Sequence, residues 1–510
     1  MSGYSAIVHI LAIASIVAVC ANVVAVETGA PVLVPAPREM VVHEGVCKTG
    51  GSPRLEYIAG IPVEGYELSV TADGVTIRCS DAVGEFYARM TLSQLLRKEA
   101  GESVYPCCEI KDAPRYRWRG VHIDDCRHFF GKEKVKRVMD LMAQHKLNRL
   151  HWHLTDDQGW RLDVPGYPEL ARVGSVREAS GRHGTRPHVK NAGYAALLNG
   201  EKYGPFYYTE SDVREIVAYA AERHIAIVPE IELPGHVYAA LAAYPQFSCF
   251  PERLKGMGPL CAWGVANDVL CVGNEQAVKF MEDVLDYVCR VFPGDVVHIG
   301  GDECPDVNWR ACPKCQARME AEGLTDARDL QPWITRRMLA FLAARGRRGI
   351  GWDEYLSGDV PTNAMGMVWR TEAREGAAKY LSPAECVARG HDLVMATKWF
   401  CYFDYKQGLE DDPFQYFGRC VTLEKAYSFD PCEGIAPELR GHILGGQCNN
   451  WSEYTWNEYD LDWKMWPRTC ALAEVLWTGE TRPGFADFKR RMVAHRRRLL
   501  SMGVNCAPLE

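Results

Sequence analysis

Two adjacent carboxylates, Asp302 and Glu303, end the hexapeptide HIGGDE at residues 298–303. An apolar run at 295–299 precedes them, and adjacent side chains of an extended segment point to opposite faces. A strand that ends in this pair can hold one carboxylate over a reacting bond and the other beside it. The Gly-Gly pair lets the backbone come close to a ligand, because glycine has no Cβ. A solvated acidic turn is the alternative interpretation of the hexapeptide taken alone.

The elements that would position these carboxylates form a regular series. From residue 115 onward, short apolar runs alternate with amphipathic stretches, a pattern typical of parallel β/α units. Strands are predicted to begin near Gly120, Leu147, Ile225, Val296, Gly349, Ala364, Leu393 and Ile443. Helices are predicted at 132–145, 211–223, 275–291 and 332–345. Eight such units predict a closed (β/α)8 TIM barrel, with a C-terminal helix, over residues 115–495.

A smaller unit precedes this series. Residues 28–113 combine strand-like runs at 66–70 and 74–78 with one helical stretch at 82–98, which predicts a small α+β non-catalytic domain. A Gly-rich, polar insertion at 163–207 interrupts the later series. We expect this insertion to form a loop over the mouth of the barrel.

Chemically capable side chains recur at the ends of the predicted strands. In a barrel of this kind the active site lies at the carboxyl ends of the strands. These ends carry Asp124, Asp125, Asp156, Asp157, Glu230, His236, Asp302, Glu303, Trp352, Asp353, Glu354, Trp369, Arg370, Tyr402, Asp404, Trp451 and Glu453. Carboxylates accept hydrogen bonds from hydroxyl groups, and aromatic faces stack on sugar rings. The set therefore indicates a sugar pocket.

With these motifs the sequence resembles the β-N-acetylhexosaminidases of glycoside hydrolase family 20. The signature H-x-G-G-D-E is present as HIGGDE. Other similar segments follow the family's order, at 118–120 (WRG), 151–161 (HWHLTDDQGWR), 234–236 (PGH), 351–354 (GWDE) and 446–453. The resemblance extends over roughly residues 30 to 480, the small domain included.

The resemblance implies substrate-assisted catalysis without a cofactor, and this family departs from the usual scheme of two catalytic carboxylates. The substrate's own 2-acetamido oxygen attacks the anomeric carbon. Glu303 would be the general acid and then the base, and Asp302 would orient the acetamido group and stabilise the oxazolinium. Tyr402 would donate a hydrogen bond to the acetamido oxygen. The product would retain the anomeric configuration.

The resemblance also implies binding roles for other side chains. Arg119 would hold ring hydroxyls, and Asp404 and Glu453 would accept hydrogen bonds from sugar hydroxyls or support Tyr402. Trp352, Trp369 and Trp451 would wall the pocket. Asp156 and His236 would form a relay with Glu303, and His298 would pack behind the carboxylates. Trp160 and Trp333 are equally compatible with sugar stacking and with core packing.

Three alternatives remain open. His151, His153, His236, His298 and Asp302 could together form the metal site of a hydrolase. A non-catalytic glycan-binding protein would share the pocket. A family member that releases a disaccharide, as lacto-N-biosidases do, would need more room beyond the terminal sugar.

Composition limits the partners and the compartment. The chain has 510 residues and a formal net charge of -8 without a basic block, which argues against nucleic acid as a partner. Residues 1–26 contain no Asp, Glu, Lys or Arg, which predicts an export signal and hence a periplasmic, cell-surface or secreted protein. A membrane anchor is the alternative, and it would be the one contact with a membrane.

The 20 cysteines suggest either disulfides or metal ligands in such a compartment. Cys304, Cys312 and Cys315 form the densest group. They are candidates for a disulfide or for a structural zinc site. A zinc site would need a fourth ligand, which the sequence does not show. Free buried thiols are the alternative.

Overall fold

The computed structural model describes residues 31–180, 201–372, 380–410, 412–414, 417–480 and 482–509. The predicted export signal and the middle of the 163–207 insertion lie outside the described residues. Within those ranges, no helix combines the length and the apolar character that a membrane span requires.

The amino-terminal unit is one sheet covered by one helix. Its strands are Glu39–Lys48, Arg54–Tyr57, Tyr66–Thr71, Gly74–Cys79, Arg97–Glu99 and Glu102–Asp112. The helix Ala82–Leu95 begins where the Asp81 carboxylate accepts a hydrogen bond from the Gly84 N–H. Its apolar face packs on the sheet around Leu68, Ile77 and Ile110.

Eight parallel strands then close a barrel, as the alternating pattern predicted. In chain order they are Trp118–Asp124, Arg149–His153, Ala226–Glu230, Val296–His298, Arg348–Trp352, Met365–Val368, Asp392–Met395 and Ile443–Asn450. The eighth strand pairs with the first, with Gly445 opposite Trp118, and this pairing closes the ring. The barrel interior is filled by side chains that include Val228, Val296, Ile350, Met365, Val394 and Leu444. The fold is therefore a (β/α)8 TIM barrel preceded by a small α+β domain.

Helices surround the barrel, and short strands lie in its loops. The helices after the small domain are Lys132–Gln144, Pro168–Arg172, Glu210–Ala221, Tyr238–Ala243, Pro251–Leu254, Glu275–Val291, Val307–Ala311, Pro313–Glu322, Leu330–Ala343, Pro383–Ala388, Lys398–Cys401, Leu423–Tyr427, Glu458–Met465, Arg468–Trp477 and Phe485–Ser501. The short strands are Thr155–Asp156, Gly159–Trp160, Arg177–Glu178, Lys202–Tyr203, Tyr405–Lys406 and Phe417–Cys420. Trp160 is buried against Phe280, and Trp333 lies under the Arg318 guanidinium, so both tryptophans have packing roles.

A buried polar network joins the small domain to the amino-terminal end of the barrel. The Asp112 carboxylate accepts hydrogen bonds from the Tyr66 hydroxyl, the Lys146 ammonium and the Trp477 indole N–H, at 2.8, 2.8 and 2.9 Å. Such a charge is retained in a dry interface only when donors surround it. The small domain therefore supports the end of the barrel opposite the predicted active site.

Candidate active site

A turn, rather than an extended strand, positions Asp302 and Glu303. The fourth barrel strand ends at His298, and Gly300, Gly301 and Glu303 have φ angles of 61°, 96° and 43°. The two carboxylates are thus not separated by strand alternation, contrary to the interpretation of the sequence. A positive φ at a glutamate costs about 1–3 kcal/mol, a strain typical of functional sites. The Glu303 side chain is 31% exposed and that of Asp302 is 14% exposed, so both are open to a ligand.

Protein groups pack against the two glycines. A Cβ on Gly300 would lie 1.8 Å from Oε2 of the buried Glu232, and one on Gly301 would lie 3.4 Å from Cβ of Tyr355. Burial, followed by the charges of Asp302 and Glu230, raises the pKa of Glu232 well above its usual range. The sequence pattern did not identify Glu232, although this residue lies only two residues before the PGH motif at 234–236.

His236 connects two pairs of carboxylates. Its Nδ1 lies 3.5 Å from Asp156 and 3.2 Å from Asp157, and its Nε2 lies 3.7 Å from Asp302 and 3.9 Å from Glu303. Burial opposes its charge, but Asp156 and Asp302 raise the pKa of His236 well above the ordinary value. The side chain is therefore an imidazolium between the buried aspartates and the exposed pair.

The electrostatics single out Asp302 within the exposed pair. Burial raises the pKa of Asp302 to about 7, while His236 acts in the opposite direction and Glu303 adds to the increase. Oδ1 of Asp302 is buried and accepts no hydrogen bond from the described residues. A buried acceptor without a donor is a place where a ligand N–H or O–H can bind.

Four aromatic rings form a box beside Asp302, defined by Trp352, Trp369, Tyr402 and Trp451. Trp369 and Tyr402 are nearly parallel, with ring centroids 6.3 Å apart, and Trp451 lies 5.6 Å from Trp352. Trp352 is 1% exposed and donates to Glu230, so it forms the floor of the box. The Trp369 indole donates to Glu354, which fixes the plane of that ring.

Asp404 and Glu453 lie next to each other near the box. Burial, and then the charge of Glu453, raise the pKa of Asp404 to about 8. Oδ1 of Asp404 and Oε2 of Glu453 have no hydrogen-bond donor among the described residues. Both are therefore suited to sugar hydroxyls.

The structure places Arg119 elsewhere, so its predicted sugar-binding role is wrong. Arg119 lies at the amino-terminal end of the first barrel strand and is fully buried. Its guanidinium donates to the Lys146 and Tyr116 carbonyls and to Glu64. A ligand at the carboxyl ends of the strands is out of its reach, because the strand itself lies between.

The arginine at the site is Arg127, three residues past the end of that strand. It contacts Asp156 at 2.9 Å and Asp124 at 3.2 Å, and its guanidinium carbon lies 5.2 Å from the Trp451 ring centroid. The spacing Asp124-Asp125-x-Arg127 directly after a strand was the signal that could have identified it.

The histidines proposed for a metal centre do not converge with Asp302. His151, His153 and His298 contact the buried Glu230 at 3.0, 2.5 and 2.9 Å, whereas His236 contacts the aspartates instead. Burial opposes the ionisation of Glu230, but the neighbouring histidines hold the pKa of Glu230 well below its usual range. His298 has the largest effect of these histidines. Cys304 packs beside Gly235, apart from Cys312 and Cys315.

Comparison with known proteins identifies the family. The profile "Glycosyl hydrolase family 20, catalytic domain" matches residues 116–480, and "Glycosyl hydrolase family 20, domain 2" matches residues 48–113. The chain belongs to glycosyl hydrolase family 20. A "Beta-hexosaminidase" of Porphyromonas gingivalis is 40% identical over 87% of this chain, and one of Akkermansia muciniphila is 33% identical over 92%. This family 20 chain spans 54% of the length of the first relative and 90% of the second.

Solved structures of the family agree with the fold. A "GH20 Exo beta-N-Acetylglucosaminidase" from Vibrio harveyi in complex with N-acetylglucosamine superposes with a TM-score of 0.82 at 27% identity, covering 96% of this chain and 80% of that chain. A β-N-acetylhexosaminidase from Bacteroides fragilis superposes with a TM-score of 0.79 at 27% identity, covering 94% and 97%. The family 20 chain thus shares its fold with solved β-N-acetylhexosaminidases of the family.

The buried position of Arg119 predicts that its loss lowers the stability of the protein and leaves its activity nearly unchanged. Replacing Arg119 by alanine leaves buried carbonyls and Glu64 without their donor, so the free energy of unfolding should fall by about 3 kcal/mol or more. The kcat/KM per folded molecule should remain within about twofold, because Arg119 is remote from the box. Urea unfolding and active-site-normalised kinetics test this, with Arg119→Lys as a milder variant. A large loss of kcat/KM in folded Arg119→Lys would restore the sugar-binding role.

Proposed function

We propose that this chain is an exo-acting, retaining glycosidase that removes terminal β-linked N-acetylglucosamine or N-acetylgalactosamine from glycans. One observation carries the proposal. Three buried carboxylate oxygens, on Asp302, Asp404 and Glu453, lack donors among the described residues and lie around an aromatic box. An N-acetylhexosamine supplies an amide N–H, several hydroxyls and an apolar ring face to these groups. A plain hexose would leave Asp302 without the amide donor.

Substrate assistance is supported by the occupation of two buried carboxylates, Glu230 and Glu354. Glu230 is enclosed by histidines and Trp352, and Glu354 accepts the Trp369 indole N–H. Each of these carboxylates therefore already accepts hydrogen bonds from the protein. With Asp302 placed to orient an acetamido group, the substrate's own oxygen serves as the nucleophile.

The reaction then proceeds in two steps. Glu303 donates its proton to the leaving oxygen while the acetamido oxygen bonds to the anomeric carbon and the glycosidic bond breaks. Asp302 stabilises the positive oxazolinium, and the Tyr402 hydroxyl donates to the acetamido oxygen. The Glu303 carboxylate next takes a proton from a water molecule, whose oxygen bonds to the anomeric carbon on the face that the leaving group left. The bond between the anomeric carbon and the acetamido oxygen breaks in the same step, which restores the acetamido group and leaves the anomeric configuration retained.

Turnover of an aryl N-acetylglucosaminide, followed by NMR of the first-formed sugar, tests the proposal. We expect hydrolysis with the β-anomer appearing first. A folded chain that binds N-acetylglucosamine without any turnover would instead be a glycan-binding protein. Initial formation of the α-anomer would exclude the retaining mechanism.

The exo mode is supported by the neighbouring Asp404 and Glu453, two acceptors suited to the hydroxyls of one terminal sugar. Aryl glycosides of N-acetylglucosamine, N-acetylgalactosamine and a disaccharide should therefore be compared in one assay. We expect the two monosaccharide substrates to react at least tenfold faster than the disaccharide. A faster disaccharide reaction would favour the lacto-N-biosidase alternative.

The pKa of Asp302 predicts the acid limb of the pH profile. Because Asp302 must be ionised to stabilise the oxazolinium, kcat/KM should rise with pH through about 7. His236 favours the ionised form, so the His236→Asn variant should show this limb at higher pH. An aryl substrate whose leaving group needs no proton should be used, so that the acid limb reports the ionisation of Asp302 and not proton donation by Glu303. The control is His43→Asn, which replaces an exposed histidine of the small domain. A limb that stays in place or moves to lower pH in His236→Asn would contradict this assignment.

A further inference from the structure

Four cysteines from two separate segments of the chain meet beside the active-site loops. The Sγ atoms of Cys249 and Cys315 are 3.7 Å apart, and Cys271 lies 3.7 Å from Cys312 and 3.8 Å from Cys315. All four sulfur atoms lie within 4.8 Å of one another. Cys271, Cys312 and Cys315 are buried, and Cys249 is partly exposed.

These distances match the edges of a metal-centred tetrahedron. Zinc–sulfur bonds of about 2.3 Å place the sulfurs of a tetrathiolate site about 3.8 Å apart. A disulfide would instead bring two of the sulfurs to about 2.05 Å. Sequence spacing shows no fourth ligand for Cys312 and Cys315, because Cys249 and Cys271 belong to a different loop.

The local backbone is also shaped for thiolates. Cys312 is the N-cap of the helix Pro313–Glu322, so Cys315 lies in its first turn, where the helix dipole favours negative charge. Gly273 follows Cys271 by two residues, and a Cβ there would lie 2.2 Å from the carbonyl carbon of Lys314. Only glycine allows the two cysteine-bearing segments to meet this closely. The Gly273 N–H then donates a hydrogen bond to the Cys315 sulfur.

We propose that Cys249, Cys271, Cys312 and Cys315 bind one structural Zn²⁺ ion. Four thiolates complete a tetrahedron and leave no open position for substrate or water, so the site is structural. Each thiol releases its proton to solvent as it coordinates the ion. Four soft sulfur ligands in this geometry select zinc or iron, and zinc is the assignment we make.

The position of the ion gives it a role in the active site. Cys249 and Cys271 lie in the segment after the third barrel strand, which also carries His236. Cys312 and Cys315 lie in the segment after the fourth strand, which carries Asp302 and Glu303. The zinc would tie these two segments together and so hold the imidazolium against the carboxylate pair.

Metal analysis of the full-length chain, purified without chelator, tests the proposal. We expect about one zinc per chain by mass spectrometry. Cys271→Ser and Cys315→Ser should reduce this at least tenfold, whereas Cys304→Ser, which lies outside the cluster, should retain it. Replacement by Co²⁺ should give the visible absorption of a tetrahedral thiolate site, a readout independent of activity.

Three results would overturn the assignment. They are metal-free wild-type protein that is folded, iron in place of zinc, and disulfides among these cysteines in unreduced peptides. If the serine variants do not fold, the zinc content and the Co²⁺ spectrum of the wild type still decide. Hydrolysis without zinc would leave the proposed function intact and reject only the metal site.

Discussion

Replacing Glu303 by glutamine is expected to lower kcat/KM for alkyl or sugar leaving groups by about 10³-fold, the usual scale for a positioned general acid. Glutamine keeps the shape and the positive-φ turn but has no proton to donate. The Glu303 side chain is 31% exposed and lies 3.9 Å from Nε2 of His236, so its carboxyl group is accessible to a bound ligand. Steady-state kinetics on purified variant and wild type measure the loss.

Substrates with different leaving groups distinguish a defect in proton transfer from a defect in binding. With a leaving group of very low pKa, formation of the oxazolinium needs no acid, so Glu303→Gln should lose far less activity in that step. Glu322→Gln, on the exposed surface of the helix Pro313–Glu322, is the matched control and should behave as wild type. An equal loss across all leaving groups would show that Glu303 acts through structure rather than through its proton.

Replacing Asp302 by asparagine should lower kcat/KM by about 10²–10³-fold for substrates that carry the 2-acetamido group. Oδ1 of Asp302 is buried and has no donor among the described residues, and in the proposed mechanism the charge of this carboxylate stabilises the oxazolinium. Asparagine keeps an acceptor oxygen and removes the charge. The effect therefore reports on charge stabilisation more than on lost contact.

The comparison substrate is the matching glycoside with a hydroxyl in place of the acetamido group. Wild type should hydrolyse it poorly, and Asp302→Asn should lower that residual rate by less than about fivefold, because no oxazolinium forms. Asp302→Ala extends the series by removing the acceptor as well. Equal losses on both substrates would mean that Asp302 serves as a nucleophile or a structural anion.

The barrel could be predicted from the sequence because the patterns that indicate its strands and helices are local. Eight apolar runs, separated by amphipathic stretches, predicted eight strands that all pair in parallel in the structure. The helix expected at 275–291 is observed as Glu275–Val291. Strand and helix periodicities involve residues only a few positions apart, so they can be recognised in the sequence without knowledge of the tertiary fold.

The two errors at the site have one physical origin. Arg119 and Arg127 lie on and just after the same strand, and the motif around them does not say which end of the barrel each one reaches. The Asp302–Glu303 geometry depends on positive φ angles in a turn against which Glu232 and Tyr355 pack from other segments. Both depend on long-range packing, which a local pattern does not encode.

The sequence by itself determined the fold class, the family and the identity of the carboxylates and rings that end the strands. Only the tertiary structure decided which side chains come into contact. It places His236 between the buried aspartates and the Asp302–Glu303 pair, and Arg127 beside Trp451. It also brings Cys249 and Cys271 together with Cys312 and Cys315. The reason is that residue type and spacing are properties of the chain, whereas a distance, a desolvated charge or a ligand set arises when separate loops close on one another.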